Sequence, residues 1–111
     1  MNARLPTHLT VGALVRRVND AGGFAVVRAR GEPQTGAILI LIEEAGKIRA
    51  LERFRDLDDR DSLVPAGPAD ADSAALENYW KKRRVSDPDL WVIELMIPQA
   101  ERFVAETILV C

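Results

Sequence analysis

Six consecutive apolar residues, Ala37-Ile38-Leu39-Ile40-Leu41-Ile42, constrain this chain more than anything else in it. A strand that faces water on one side alternates apolar and polar positions; a run with no polar position belongs to a strand covered on both faces. The run therefore predicts a central strand with material packed above and below it. It is far short of the roughly 20 residues that a membrane-spanning helix needs. The start of the chain, Met1-Asn2-Ala3-Arg4-Leu5-Pro6, has no apolar signal segment. A soluble cytosolic protein with no membrane association is the expectation.

The flanking segments supply the rest of a fold. Val11, Leu14, Val15 and Val18 repeat at helical spacing, Thr7 or Thr10 is placed to cap that helix, and Gly22-Gly23 stops it. Residues 24–30 read as a strand, and 31–36 carry turn chemistry. Glu43-Glu44-Ala45-Gly46 is a hairpin loop before a return strand over 47–55. That strand has Ile48, Ala50, Glu52 and Phe54 on one face and Lys47, Arg49, Leu51, Arg53 and Arg55 on the other. The Asp-rich segment 56–72 contains Ser62-Leu63-Val64, a short edge strand. A second helix over 72–85 places Leu76, Tyr79, Trp80 and Arg83 together and ends before Asp87-Pro88. Residues 90–97 form a further strand, Pro98 opens a short helix, and the tail from Ile108 either docks on the core or pairs at an edge. The order predicts one α+β domain over 1–111: an N-terminal helix, an antiparallel three-strand meander, a second helix, a further strand and a short C-terminal helix. The sheet is single and mostly antiparallel, with helices packed on it.

Composition removes several functions. One Cys and one His in 111 residues exclude an intrachain disulfide and a Cys/His zinc site of three or four ligands. Cys111, at an apolar chain end, lacks the electropositive setting of a reactive thiol. His8 has no Ser or Cys beside it in sequence and reads as a hydrogen-bonded structural residue. Asp56-Leu57-Asp58-Asp59-Arg60-Asp61 departs from a calcium-loop pattern and reads as a solvated acidic turn. No metal, cofactor or catalytic residue is expected.

The cations offer the candidate sites. Arg28 and Arg30 share one face of their strand, and Arg49, Arg53 and Arg55 share one face of theirs. If the faces coincide, five Arg form a platform for an anion or nucleic acid; the plainer reading is a solvated face neutralised by neighbours such as the acidic turn. Aromatic residues that would stack on bases are few, and Phe54 lies on the opposite face. Lys81-Lys82-Arg83-Arg84 spreads around a helix end, where cations favour the carbonyl terminus. Arg83, on the apolar stripe, needs a partner, and Asp87, Asp89 or Glu94 is expected to supply it. Trp91 is either core or a half-exposed interface residue.

Five segments together resemble a known family. They are Leu5-Pro6-Thr7-His8-Leu9, Arg16-Arg17-Val18, Gly22-Gly23-Phe24-Ala25, Gly36-Ala37-Ile38-Leu39 and Asp87-Pro88-Asp89-Leu90-Trp91-Val92-Ile93-Glu94. This set is similar to the bacterial family called domain of unknown function 1491, over nearly the whole chain. Members tend to carry an aromatic residue where this chain has Thr10. The resemblance implies a bacterial cytosolic protein and transfers no catalytic residue. Three functions follow from the residues. The first is a non-enzymatic binding or interaction protein, partnered by itself as a homodimer or by another protein. The second is RNA or polyanion binding through the Arg-rich sheet face and the basic cluster, on the helix–strands–helix order of double-stranded RNA-binding folds. The third is a small enzyme using Arg28, Arg30, Arg53 and Glu94 around an anion. Residues 1–55 carry nine cations against five anions and residues 56–111 six against twelve, so the net charge of -2 does not exclude a polyanion.

Overall fold

The apolar run forms β2 (Ile38–Glu44), the middle strand of a five-stranded sheet. The computed structural model describes residues 5–109. Its elements are α1 (Thr7–Asp20), β1 (Phe24–Ala29), β2, β3 (Lys47–Arg55), β4 (Asp61–Ala66), α2 (Ser73–Ser86), β5 (Trp91–Met96) and α3 (Ala100–Ile108). Ile38, Ile40 and Ile42 enter a core with Val11, Leu14 and Val18 of α1 and Val104 and Ile108 of α3. Leu39 and Leu41 enter a second core with Leu76 and Trp80 of α2. The strand is covered on both faces, as its composition requires, and the α+β domain has three layers. Among the described residues no helix is long and apolar enough to cross a membrane. Ile108 docks on the core, while Val110 and Cys111 lie outside the described residues.

The order across the sheet is β1-β5-β2-β3-β4. The antiparallel meander is therefore β2-β3-β4, and not the strands at 24–30, 37–42 and 47–55. β1 pairs antiparallel with β5, and β5 sits between β1 and β2, parallel to β2. Alternation tells which face a side chain takes but not which strand lies beside it. β5 is apolar on both faces apart from Glu94, and burying it centrally removes more apolar surface from water than burying β1 would. The β3–β4–α2 segment supplies the long crossover that a parallel pair demands. Ser62-Leu63-Val64 lies within β4, at one edge, where Pro65 blunts further pairing.

Inserting β5 makes the β1–β2 connection cross over the start of β5. The crossing is tight. A Cβ on Gly31 or on Gly36 would collide with the Asp89 carbonyl oxygen. The Glu32 amide donates to that oxygen at 3.0 Å, the Trp91 amide to Ala37 O at 2.8 Å, and the Trp91 indole to Glu32 O at 2.8 Å. The same loop caps α1. Its N-cap is Pro6, and no side chain serves there. Instead the Thr7 and His8 amides donate to the carbonyls of Gln34 and Pro33 at 3.0 and 2.8 Å, and the Thr7 hydroxyl donates to Gly36 O at 2.8 Å. The orphan amides of a helix start are thus met by a loop that the sequence presents 25 residues or more downstream. In α2 the capping is local: Asp72 accepts from the Ala75 amide at 2.8 Å.

Gly31→Ala and Gly36→Ala should each destabilise the fold by about 1–3 kcal/mol, since the added methyl meets backbone that must shift. Urea unfolding monitored by far-ultraviolet circular dichroism measures it.

Candidate functional site

The five arginines do not form one platform. The register of β1 against β5 slips between Val27 and Ala29, which face Ile93 and Val92, so Arg28 is the extra residue of a bulge. Before the slip, Ala25 and Val27 face the α1 core; after it, Ala29 packs against the α2 core. Arg28 bonds Glu94 and Glu77 at 2.6 Å each and lies over the Trp80 ring, on the α2 side. Arg30 falls on the opposite side, 5.2 Å from the centroid of the Trp91 ring. Arg49 and Arg53 face the α3 side, bonded to Glu101 at 2.8 Å and to Ile108 O at 3.3 Å. Arg55 pairs with Asp61 at 3.1 Å across the β3–β4 ladder. The plain alternation assumed for 24–30 fails at one inserted residue. The four groups read as an enzyme's anion site separate with it: Arg28 and Glu94 hold each other on one face, and Arg30 and Arg53 lie on the other.

Arg83 also turns to a different partner. Its guanidinium grips Glu52 of β3 with two bonds, 2.9 and 2.7 Å, and reaches Tyr79 at 3.2 Å, rather than pairing with Asp87 or Asp89. The bidentate bonds to Glu52 raise its pKa further above the ordinary guanidinium value. Asp87 accepts from the Asp89 amide at 3.2 Å and so shapes the turn. The neighbour that sequence reasoning passed over is Arg84. It donates to Leu90 O at 3.0 Å and to Arg30 O and Pro88 O at 2.9 Å each, gathering the end of α2, the start of β5 and the end of β1. Its place just before the Asp87-Pro88 stop was the available signal, because carbonyls exposed there need a donor.

Trp91 is 2% exposed and belongs to the core of the α1 side, rather than standing half-exposed. His8 is exposed, with Nδ1 donating to the Pro33 carbonyl at 3.1 Å. In the acidic turn, Asp56 accepts from the amides of Asp58 and Arg60 at 2.9 Å each. Among the described residues no group of three or more His, Cys, Asp or Glu is arranged to hold a metal.

The open part of the sheet lies on the α2 face, at the β2–β3 hairpin. α2 covers only the other end. Phe24 and Met96 are cross-strand partners, and with Val26 they stand 66, 44 and 51% exposed. The register continues them into Glu43, whose own partner is the half-buried Ile48. Beside this row is a groove of about 870 Å³ between the hairpin and the segment leading into α2, lined by the carboxylates of Glu43, Glu44, Asp70, Asp72 and Glu94, by the cations Lys47 and Arg49, the latter paired with Glu101, and by Ile48. Glu43, Glu44 and Asp70 enter no ion pair among the described residues. The surface is thus mainly carboxylate-lined with an apolar flank.

A family model described as "Protein of unknown function (DUF1491)" matches residues 5–105. Among solved structures, the chain is similar to a DUF1491 family protein from Caulobacter crescentus CB15 in its crystal form, with 26% identity, a TM-score of 0.80 and coverage of 90% of this chain and 94% of that one. An NMR structure of a DUF1491 family protein from the same organism gives 25%, 0.78, 92% and 94%. The solution structure of protein Atu0922 from A. tumefaciens gives 28%, 0.70, 87% and 89%. No curated protein matches the chain.

The ion-pair assignment is open to measurement. A double-mutant cycle on Arg83→Met and Glu52→Gln should give a coupling of about 1–2 kcal/mol, above the roughly 0.2–1 kcal/mol of exposed pairs, and a cycle of Arg83→Met with Asp87→Asn close to none. The crossing loop carries a pH signature of its own. The amides of Thr35 and Gln34 hold the Glu32 carboxyl below its usual range. A depressed carboxyl stabilises the fold above its unfolded pKa, about 4.3, and loses that contribution as pH falls through its folded value. Unfolding free energy measured from pH 6 downward should fall less steeply in Glu32→Gln than in the wild type.

Proposed function

The chain belongs to the DUF1491 family, and on that footing we propose that it is a non-enzymatic protein-binding module of the bacterial cytoplasm, whose groove beside the β2–β3 hairpin takes a basic, apolar segment of another protein. One observation carries the reading. Phe24, Val26 and Met96 are exposed side by side along an edge of the sheet that adjoins Glu43, Glu44 and Asp70, which enter no ion pair among the described residues. Exposed apolar groups gain from burial against a partner, and Glu43, Glu44 and Asp70 select a cationic one and repel an acidic one. RNA and other polyanions meet the wrong sign of charge here. Association along the strand edge is less suited than association on the face. The outward amide of Ala25 already donates to the Asn19 side chain at 3.1 Å, so pairing of β1 with another strand would have to break that bond.

A short amphipathic peptide built from lysine and leucine, titrated into the labelled protein, should shift the backbone resonances of Phe24, Val26, Ile48 and Met96. Its counterpart with glutamate in place of lysine should not. Glu43→Lys and Met96→Asp should each weaken the basic peptide by about tenfold, a change of roughly 1.4 kcal/mol. Equal binding of the two peptides, or shifts on another face, would overturn the assignment. Sedimentation equilibrium of the free protein separates the remaining occupant: self-association abolished by Met96→Asp would make a second copy the partner instead.

A further inference from the structure

On the other face of the sheet, α1 and the end of β1 enclose an open groove of about 400 Å³. One wall is a stripe of α1 made of His8, Gly12 and Arg16, spaced at i, i+4 and i+8. The facing side is Val27, Arg30 and the Trp91 ring. Three features set this groove apart from the acidic one.

The first is its charge. Arg16 and Arg30 both line it, and among the described residues no carboxylate does. Arg17, Arg28, Arg49, Arg55, Arg83 and Arg102 each meet an acidic side chain, whereas Arg16 and Arg30 enter no ion pair among the described residues. Cations that enter no ion pair within the molecule are available to an external anion. The second is its shape. Arg30 lies over the buried Trp91 ring, 5.2 Å from its centroid, which holds the guanidinium at the groove, and Val27 supplies an apolar floor. The Nδ1 of His8 is held by Pro33 O, which fixes the ring. The third is Gly12. A glycine inside a helix costs stability relative to alanine, and it is tolerated without complaint where another group approaches closely. Here nothing lies within 4 Å of the place its Cβ would occupy. The packing of the chain gives no reason for the missing side chain, and its effect is to leave the middle of the groove wall open.

We propose that this groove binds a small organic anion, a carboxylate or phosphate head on an apolar, planar body. Arg16 and Arg30 take the head as bidentate donors, and the body lies over Val27 toward Trp91, across the gap at Gly12. The volume falls within the range of small-molecule sites, about 300–1,000 Å³. The amides at the start of α1 are taken by the loop carbonyls of Pro33 and Gln34, so the guanidinium groups and not the helix terminus carry the recognition. This site is independent of the protein-binding groove and lies on the opposite face of β1 from Phe24 and Val26.

The test uses phenylacetate, phenyl phosphate and the neutral phenylacetamide, titrated into the full chain with the Gly12 amide and the Trp91 indole N–H followed by NMR. At least one of the two anions should give saturable shifts of both signals below about 10 mM, within the weak range of small-fragment affinities, and the one that does identifies the head group. Phenylacetamide should bind at least about tenfold more weakly. Arg16→Gln and Arg30→Gln should each weaken the anion by about tenfold. Gly12→Leu should abolish binding by filling the groove. Gly12→Ala should weaken it while raising the melting temperature, because the helix gains and nothing is displaced; this variant separates loss of the site from loss of the fold. Absence of saturable shifts with both anions, equal binding of phenylacetamide, or binding unchanged in Gly12→Leu would overturn the proposal.

Discussion

The crossing of residues 31–36 over the start of β5 is the contact on which the rest of the molecule depends. It exists because β5 lies between β1 and β2, and it is possible only because Gly31 and Gly36 let two backbones approach at Asp89. Once made, the crossing fixes three other things. It supplies the carbonyls that start α1, it takes the Trp91 indole proton, and it brings the end of β1 within reach of Arg84. Each of these bonds satisfies a polar group that would otherwise be left unpaired near the core, where an unmet donor costs about 1–3 kcal/mol. A loop of this kind is therefore a structural hub, even though it contains no helix or strand.

The run at 37–42, the helix spacing in α1 and the stop at Asp87-Pro88 were all legible, because each depends on residues close together in sequence. The pairing of β1 with β5 was not. Ala25 and Val27 alternate with Phe24 and Val26 in the same way whichever strand lies alongside, and the partner is nearly 70 residues away by register. The signal that did exist was indirect: two glycines bracketing a turn, and a tryptophan after Asp87-Pro88-Asp89-Leu90, mark a place where chains come close. The partner of Arg83 was hidden for a similar reason. Sequence proximity favoured Asp87 and Asp89, but the stripe that carries Arg83 also carries Leu76 and Trp80, and the sheet surface under that stripe presents Glu52.

The bulge at Arg28 connects the fold to its surfaces. Without it, Arg28 and Arg30 would share the α2 face, still opposite Arg49 and Arg53; with it, Arg30 moves to the α1 side. Arg28 keeps the α2 face, where it bonds Glu77 and Glu94 and holds α2 against β5. Its pKa is raised and that of Glu77 lowered chiefly by these hydrogen bonds, as expected of a mutual pair. Most of the arginines on the sheet are likewise absorbed by a neighbouring carboxylate or carbonyl. A sequence rich in arginine is thus compatible with a surface that offers few free cations.

What the bulge leaves over is one arginine on the α1 side. Arg30 cannot reach the acidic side chains that serve Arg28, because the sheet stands between them, and Trp91 is the surface it meets. The same one-residue insertion therefore adds Arg30 to a cation-lined groove on the α1 face, across the sheet from a carboxylate-lined groove. The two have opposite polarity, and β5 contributes to both, through Glu94 on one side and Trp91 on the other. A whole-chain charge near zero conceals this division. Whatever each groove holds, the extra residue in β1 decides that Arg30 joins Arg16 on the α1 side, while Glu43, Glu44 and Asp70 give the other groove its sign.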